Sequence, residues 1–113
     1  MANIKITKKY GGYKYQAPGH FDCELDRLHD AADVPDGAVT VGVTRFFPGG
    51  GTNYGATPVE SVYYVLEGEL LFTDDTGHTT TLHGGDSAHI AANVKKSVKN
   101  TGDLDAYMLV VIK

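Results

Sequence analysis

The chain has 113 residues, 42% hydrophobic and 21% charged, with 14 Gly, 4 Pro, one Cys and no Trp; that length suits one domain around one core, and the lone Cys23 excludes a disulfide framework or a multi-cysteine zinc module. Ten basic against fourteen acidic residues give a formal charge of −4, which argues against nucleic acid as a partner because phosphate contacts need a basic face. No run approaches the ~20 apolar residues of a membrane helix, and Met1–Tyr10 lacks a signal-peptide core, so the sequence reads as a soluble cytoplasmic protein with no membrane partner.

Residues 1–19, rich in Lys, Tyr and Gly, read as an ordered arm or a frayed end. Phe21, Cys23 and Leu25 alternate with Asp22, Glu24 and Asp26, which gives a strand with one apolar face; a helix through Phe21, Leu25 and Leu28 also fits. Cys23 is expected to be a buried apolar residue. Asp33–Gly37 is a turn, and Ala38–Phe47 is β-branched and aromatic, a strand, which Pro48-Gly49-Gly50-Gly51 is expected to end sharply. Glu60–Phe72 is an apolar strand broken at Gly68. Asp74–Gly77 is a hairpin turn with Thr79–Leu82 as the return strand. Gly84-Gly85-Asp86 turns into Ser87–Ala92, then come Ser97–Val98, a turn at Asn100–Asp103, and Ala106–Ile112. Many short strands with turns every ~8–12 residues predict an all-β sandwich or barrel in one domain spanning 1–113.

Two stretches resemble the cupin family. Its first motif is Gly, five residues, His-x-His, three or four residues, Glu, six residues, Gly. Gly49, Gly55, Thr57, Ser61 and Gly68 fall at that spacing, flanked by Pro48 and Tyr63-Tyr64-Val65-Leu66-Glu67. The second motif is Gly, five residues, Pro-x-Gly, two residues, His, three residues, Asn. It is matched by Gly85, Ala91-Ala92-Asn93, Lys96 and Asn100. The resemblance covers about 38–112 and implies the cupin double-stranded β-helix, a jelly-roll barrel. In metal-binding members the two His, the Glu and the later His hold a divalent ion. Here those positions are Gly55, Thr57, Ser61 and Lys96, a set of poor ligands that includes an ammonium, so no metal and no other cofactor is expected. Glu60 is one residue out of phase with Ser61 and should face the other way. His78 and His83, read as lying on one strand five apart, should face opposite sides.

By the family's strand parity, Ser61, Tyr63 and Lys96 face the barrel interior, with Thr57 at its mouth. The candidate catalytic groups are Lys96, His20 and Tyr63. The candidate substrate-binding groups are Ser61, Thr57, Tyr54, Arg45 and His89. Arg45 reads either as a carboxylate clamp or as a salt-bridged outer residue, and the parity of His89 is open. An ammonium surrounded by hydroxyls suits a carboxylate or carbonyl compound. The leading expectation is a metal-independent enzyme that uses acid–base chemistry on a small oxygenated metabolite, of isomerase, epimerase, lyase or hydrolase type. The alternatives are a non-catalytic small-molecule binding or sensor domain, and an oxygenase with displaced metal ligands. Small relatives pair through sheet faces, so a homodimer is expected.

Overall fold

Alternation alone leaves Phe21–Leu25 open to strand or helix; strand pairing decides it. The computed structural model describes residues 2–113, so the first residue of the predicted arm lies outside the described residues. Strand β1 (Tyr13–Tyr15) pairs antiparallel with β2 (His20–His29), and β2 pairs with β3 (Thr40–Thr52). Cys23 faces Phe46 and Leu25 faces Thr44 across that pair. The arm therefore lies on the barrel and is not frayed at Tyr13–Tyr15. β4 (Ser61–Glu67), β5 (Glu69–Thr73), β6 (Thr79–His83), β7 (Ser87–Ile90), β8 (Ser97–Lys99) and β9 (Ala106–Ile112) follow. The one helical turn among the described residues is the 3-10 turn Ala31–Asp33.

Hydrogen bonding orders the main path β6-β5-β8-β3-β9-β4-β7, with β2 and β1 extending from β3. The path curls into a nearly closed antiparallel barrel, the cupin-type all-β architecture. Among the described residues no helix is long and apolar enough to cross a membrane. One end of the barrel is plugged by Phe46, Val65, Leu70, Val98, Ala106 and Met108, each at most 2% exposed. Cys23 is half-buried against this cluster, and burial pushes its thiol pKa up.

Two expectations need correction. The glycine run does not end its strand: β3 continues through Thr52. Gly49 has φ +82 and bends the strand, while a Cβ on Gly50 or Gly51 would collide with the carbonyl of Asp22 or of Val98. These glycines let β2 and β8 approach β3 rather than stop it. His78 lies in the Asp74–Gly77 turn region, ahead of β6, so it does not share a strand with His83.

The buried Asn100, 1% exposed, ties the turn before β9 to the plug. Its Nδ2 donates to Phe46 O at 3.0 Å and Leu104 O at 2.8 Å, and its Oδ1 accepts from Gly102 N at 3.0 Å. Its backbone N also donates to Gly50 O at 2.7 Å. Asn100→Ala keeps the backbone bond, leaves Phe46 O, Leu104 O and Gly102 N without their side-chain partner, and is expected to cost about 2 kcal/mol of stability. Urea denaturation checks this, and a loss under ~0.5 kcal/mol would contradict the assignment.

Candidate active site

Strand alternation sends Ser61 and Tyr63 of β4, Thr44 and Phe46 of β3, and Met108 and Val110 of β9 to the barrel interior. Together with Leu25 of β2 they line an inner chamber of about 450 Å³. A smaller chamber of about 260 Å³ opens beside it and is lined by Asn53, Tyr54, Gly55 and Lys96. His20, Thr57 and Tyr63 belong to the walls of both. A further cavity of about 470 Å³ lies outside the barrel, between the arm and the outer face of β2, among Thr7, Lys8, Lys14 and Leu28. It shares no residue with the two barrel chambers and so is set apart from their chemistry.

Lys96 sits just before β8 and is locked by its backbone. Its N donates to Gly55 O at 3.0 Å and Gly55 N donates to its O at 3.1 Å. The side chain is buried, the residue being 7% exposed. Its Nζ donates to Thr57 Oγ1 at 3.1 Å, and among the described residues no carboxylate pairs with it. Burial pulls the ammonium pKa below its ordinary 10.5, because a low-dielectric surrounding penalises the charged form.

Two hydroxyls complete the interior. Burial raises the Tyr63 pKa, and the nearby Ser61 hydroxyl opposes part of that rise without reaching hydrogen-bond geometry. Tyr63 is therefore a proton donor at neutral pH. Ser61, 4% exposed, has an Oγ with no protein partner among the described residues, a cost normally removed by a bound acceptor, a donor or water. At the rim, His20 Nδ1 lies 3.1 Å from Pro18 O. A carbonyl only accepts, so Nδ1 carries a proton, and in the neutral ring the lone pair is on Nε2. Tyr54 lines the outer chamber and spends its hydroxyl on Asp74 O at 2.9 Å.

The structure thus brings Lys96, Tyr63, His20, Ser61, Thr57 and Tyr54 to one double chamber. Arg45 and His89 are elsewhere. Arg45 occupies the outer face of β3, where Nε and Nη2 bind Asp105 Oδ2 at 2.8 and 2.6 Å. His89 pairs with Val62 across β7 and β4, and its Nε2 meets Glu60 Oε2 at 2.6 Å on the exposed side. Glu60 accordingly faces away from Ser61. Sequence reasoning did not single out Arg27 or Tyr15, which line the inner chamber. The available signal was parity: Arg27 is the next residue on the face of Cys23 and Leu25.

The positions that hold a divalent ion in metal-binding relatives do not fit one here. Gly55 offers no side chain, Thr57 and Ser61 offer neutral hydroxyls, and the fourth position puts an ammonium against Thr57. Among the described residues no three His, Cys, Asp or Glu side chains come together in a metal-holding group.

The cupin domain family model matches residues 42–112. A Mycobacterium tuberculosis protein named beta-D-galactosidase Rv1717 is 34% identical over 109 residues, covering 96% of this chain and 93% of its own length. Among solved structures, the polyketide cyclase RemF from Streptomyces resistomycificus superposes with a TM-score of 0.80 at 23% identity, covering 96% of this chain and 78% of that one. A sugar phosphate isomerase of the cupin superfamily from Silicibacter pomeroyi gives 0.78 at 22%, covering 96% and 75%. At these identities the structural likenesses establish the fold.

A buried ammonium with one neutral partner burdens the fold. Its folded pKa lies below the unfolded value, so the unfolded chain binds the proton more tightly and stability rises with pH between the two values. The penalty is full below the folded pKa and gone above 10.5. Lys96→Met is therefore expected to raise stability at pH 7 by roughly 1 kcal/mol, with the gain shrinking at alkaline pH. Denaturation at both pH values checks this; a destabilised variant at pH 7 would contradict it.

Proposed function

Since the chain belongs to the cupin family, we propose that it is a metal-independent enzyme that moves protons on a small oxygenated metabolite. The observation that carries this reading is Lys96, a buried cation in a chamber wall with, among the described residues, a single neutral partner. A fold retains such a group at a stability cost where it serves a ligand. The ammonium has three donors and Thr57 takes one, so two are free for a substrate oxygen.

The shared chamber walls support the following roles. A carbonyl oxygen of the substrate accepts from Lys96. His20 Nε2 removes a proton from the carbon beside that carbonyl. The C–H pair moves into the new C=C bond, and the carbonyl π pair moves to oxygen, where the ammonium stabilises the enolate. Return of a proton, from the Tyr63 hydroxyl or from the imidazolium of His20, completes an isomerisation or epimerisation. Thr57, Ser61 and Tyr54 serve binding.

A second reading is hydrolysis of a galactoside, favoured by the name of the M. tuberculosis relative. Ordinary glycosidases flank the bond with two carboxyl groups. Among the described residues no Asp or Glu lines either barrel chamber, so the proton-transfer reading is preferred.

The test pairs two assays on the same protein: α-proton exchange of small ketones and keto acids in D2O followed by NMR, and release of phenol from an aryl β-galactoside. The expected outcome is catalysed exchange that falls at least ~100-fold in Lys96→Met and in His20→Ala, with cooperative melting retained in both. Galactoside cleavage without exchange would favour the second reading. Exchange that survives both substitutions would overturn the first.

A further inference from the structure

The inner chamber holds a second cation besides the Lys96 of its neighbour. Across the barrel wall Arg27 pairs with Gly42, Gly42 with Val110, and Val110 with Tyr63. These four residues form one row, and Arg27, Val110 and Tyr63 all line the inner chamber. Gly42 sits between Arg27 and Val110 and contributes no side chain to the row.

Arg27 is held but not neutralised in a tight pair. Its guanidinium carbon lies 4.5 Å from the centre of the Tyr15 ring, another lining group. Its only ion-pair contact among the described residues is Nη1 to Asp30 Oδ1 at 3.4 Å, with the Asp30 side chain 42% exposed. Asp30 also accepts from the Tyr13 hydroxyl at 2.8 Å. A fork of five N–H donors whose ion pairing among the described residues is one long contact is well suited to a further carboxylate. The Arg27 side chain is 21% exposed, so a carboxylate bound there is only partly screened. The chamber wall around this row is apolar at Leu25, Phe46 and Met108 and carries hydroxyls at Thr44 and Ser61.

We propose that the substrate is a two-headed molecule, an aryl- or alkyl-bearing keto acid whose carboxylate is gripped by Arg27 while its carbonyl oxygen faces Lys96. Arg27 is then the residue that selects acids, and the apolar wall selects a hydrophobic body. The inference rests on the reading of Lys96 as the carbonyl anchor.

Two probes isolate the acid: benzoylpropionate, and butyrophenone, in which a methyl group replaces the carboxylate. Calorimetric titration of the wild-type protein is expected to give at least ~10-fold tighter binding of benzoylpropionate. In Arg27→Gln that preference falls below ~2-fold while butyrophenone binding is unchanged, because only the acid contact is lost. In Lys96→Met both probes weaken, because the shared carbonyl contact is lost. A purely structural role for Arg27 would change both probes together. A preference that survives Arg27→Gln, or a wild-type protein that does not distinguish the probes, overturns the assignment of Arg27. If the preference closes in Arg27→Gln but neither probe responds to Lys96→Met, the acid site stands and the carbonyl anchor falls.

Discussion

The site depends on one pairing, between a loop that has no side chain to offer and a lysine that has no room to leave. Gly55 and Lys96 exchange two backbone hydrogen bonds at 3.0 and 3.1 Å. That bridge fixes the Cα of Lys96 at the barrel wall, and the Thr57 hydroxyl then fixes its ammonium. Nothing about strand packing requires a charge there, since Val98, two residues on and on the same face, is 1% exposed and apolar. The barrel carries a desolvated cation with a neutral partner, next to a buried Ser61 hydroxyl that also has none among the described residues. Both groups make sense once a polar ligand is present, and both are costs without one.

Around this centre the barrel divides its labour by height. The plug of Phe46, Val65, Leu70 and Val98 supplies the folding energy. The rows above it, where Tyr63, Val110 and Arg27 align, line the chamber, and Gly42 lets β2 approach β3 there because a Cβ on it would strike the carbonyl of Asp26. The mouth is closed partly by residues of the arm, Tyr15, Ala17 and Pro18, which belong to the inner chamber wall. A segment that looks like a peripheral extension therefore shapes the site and presents His20 at its end.

Much of the fold was legible in the sequence because its turns have obligate chemistry. Gly68, Asp74–Gly77 and Asn100–Asp103 punctuate strands where expected, and β9 has the bounds its β-branched run implies. The glycine run after Phe47 was misread because glycine breaks strands as readily as it lets them touch. Only the neighbouring carbonyls of Asp22 and Val98 tell the two apart. The site was legible to the extent that parity was. Tyr63 and Ser61 follow from the strand parity that the family resemblance implies, since Val62, Tyr63, Tyr64, Val65 and Leu66 show no polar face of their own. Arg45 lies between the inward Thr44 and Phe46, so it points outward to Asp105. Arg27 follows Leu25 at the inward period and escaped notice because its strand was read as ending at Leu25. His89 sits on a strand of four residues, too short for alternation to fix its face; pairing with Val62 fixes it.

The central claim is electrostatic and can be measured on the folded protein without any substrate. Lys96 is expected to titrate below 10.5 because burial disfavours its charged form, whereas Lys14 is raised by its bonds to Asp26 and Glu24. An NMR titration of the lysine side-chain ε-methylene signals, with Lys96 assigned by its loss in Lys96→Met, reads this directly. The account predicts one lysine resonance that titrates clearly below the others and disappears in that variant. A Lys96 signal that titrates with the solvent-exposed lysines would show that the ammonium is hydrated, and would contradict the account.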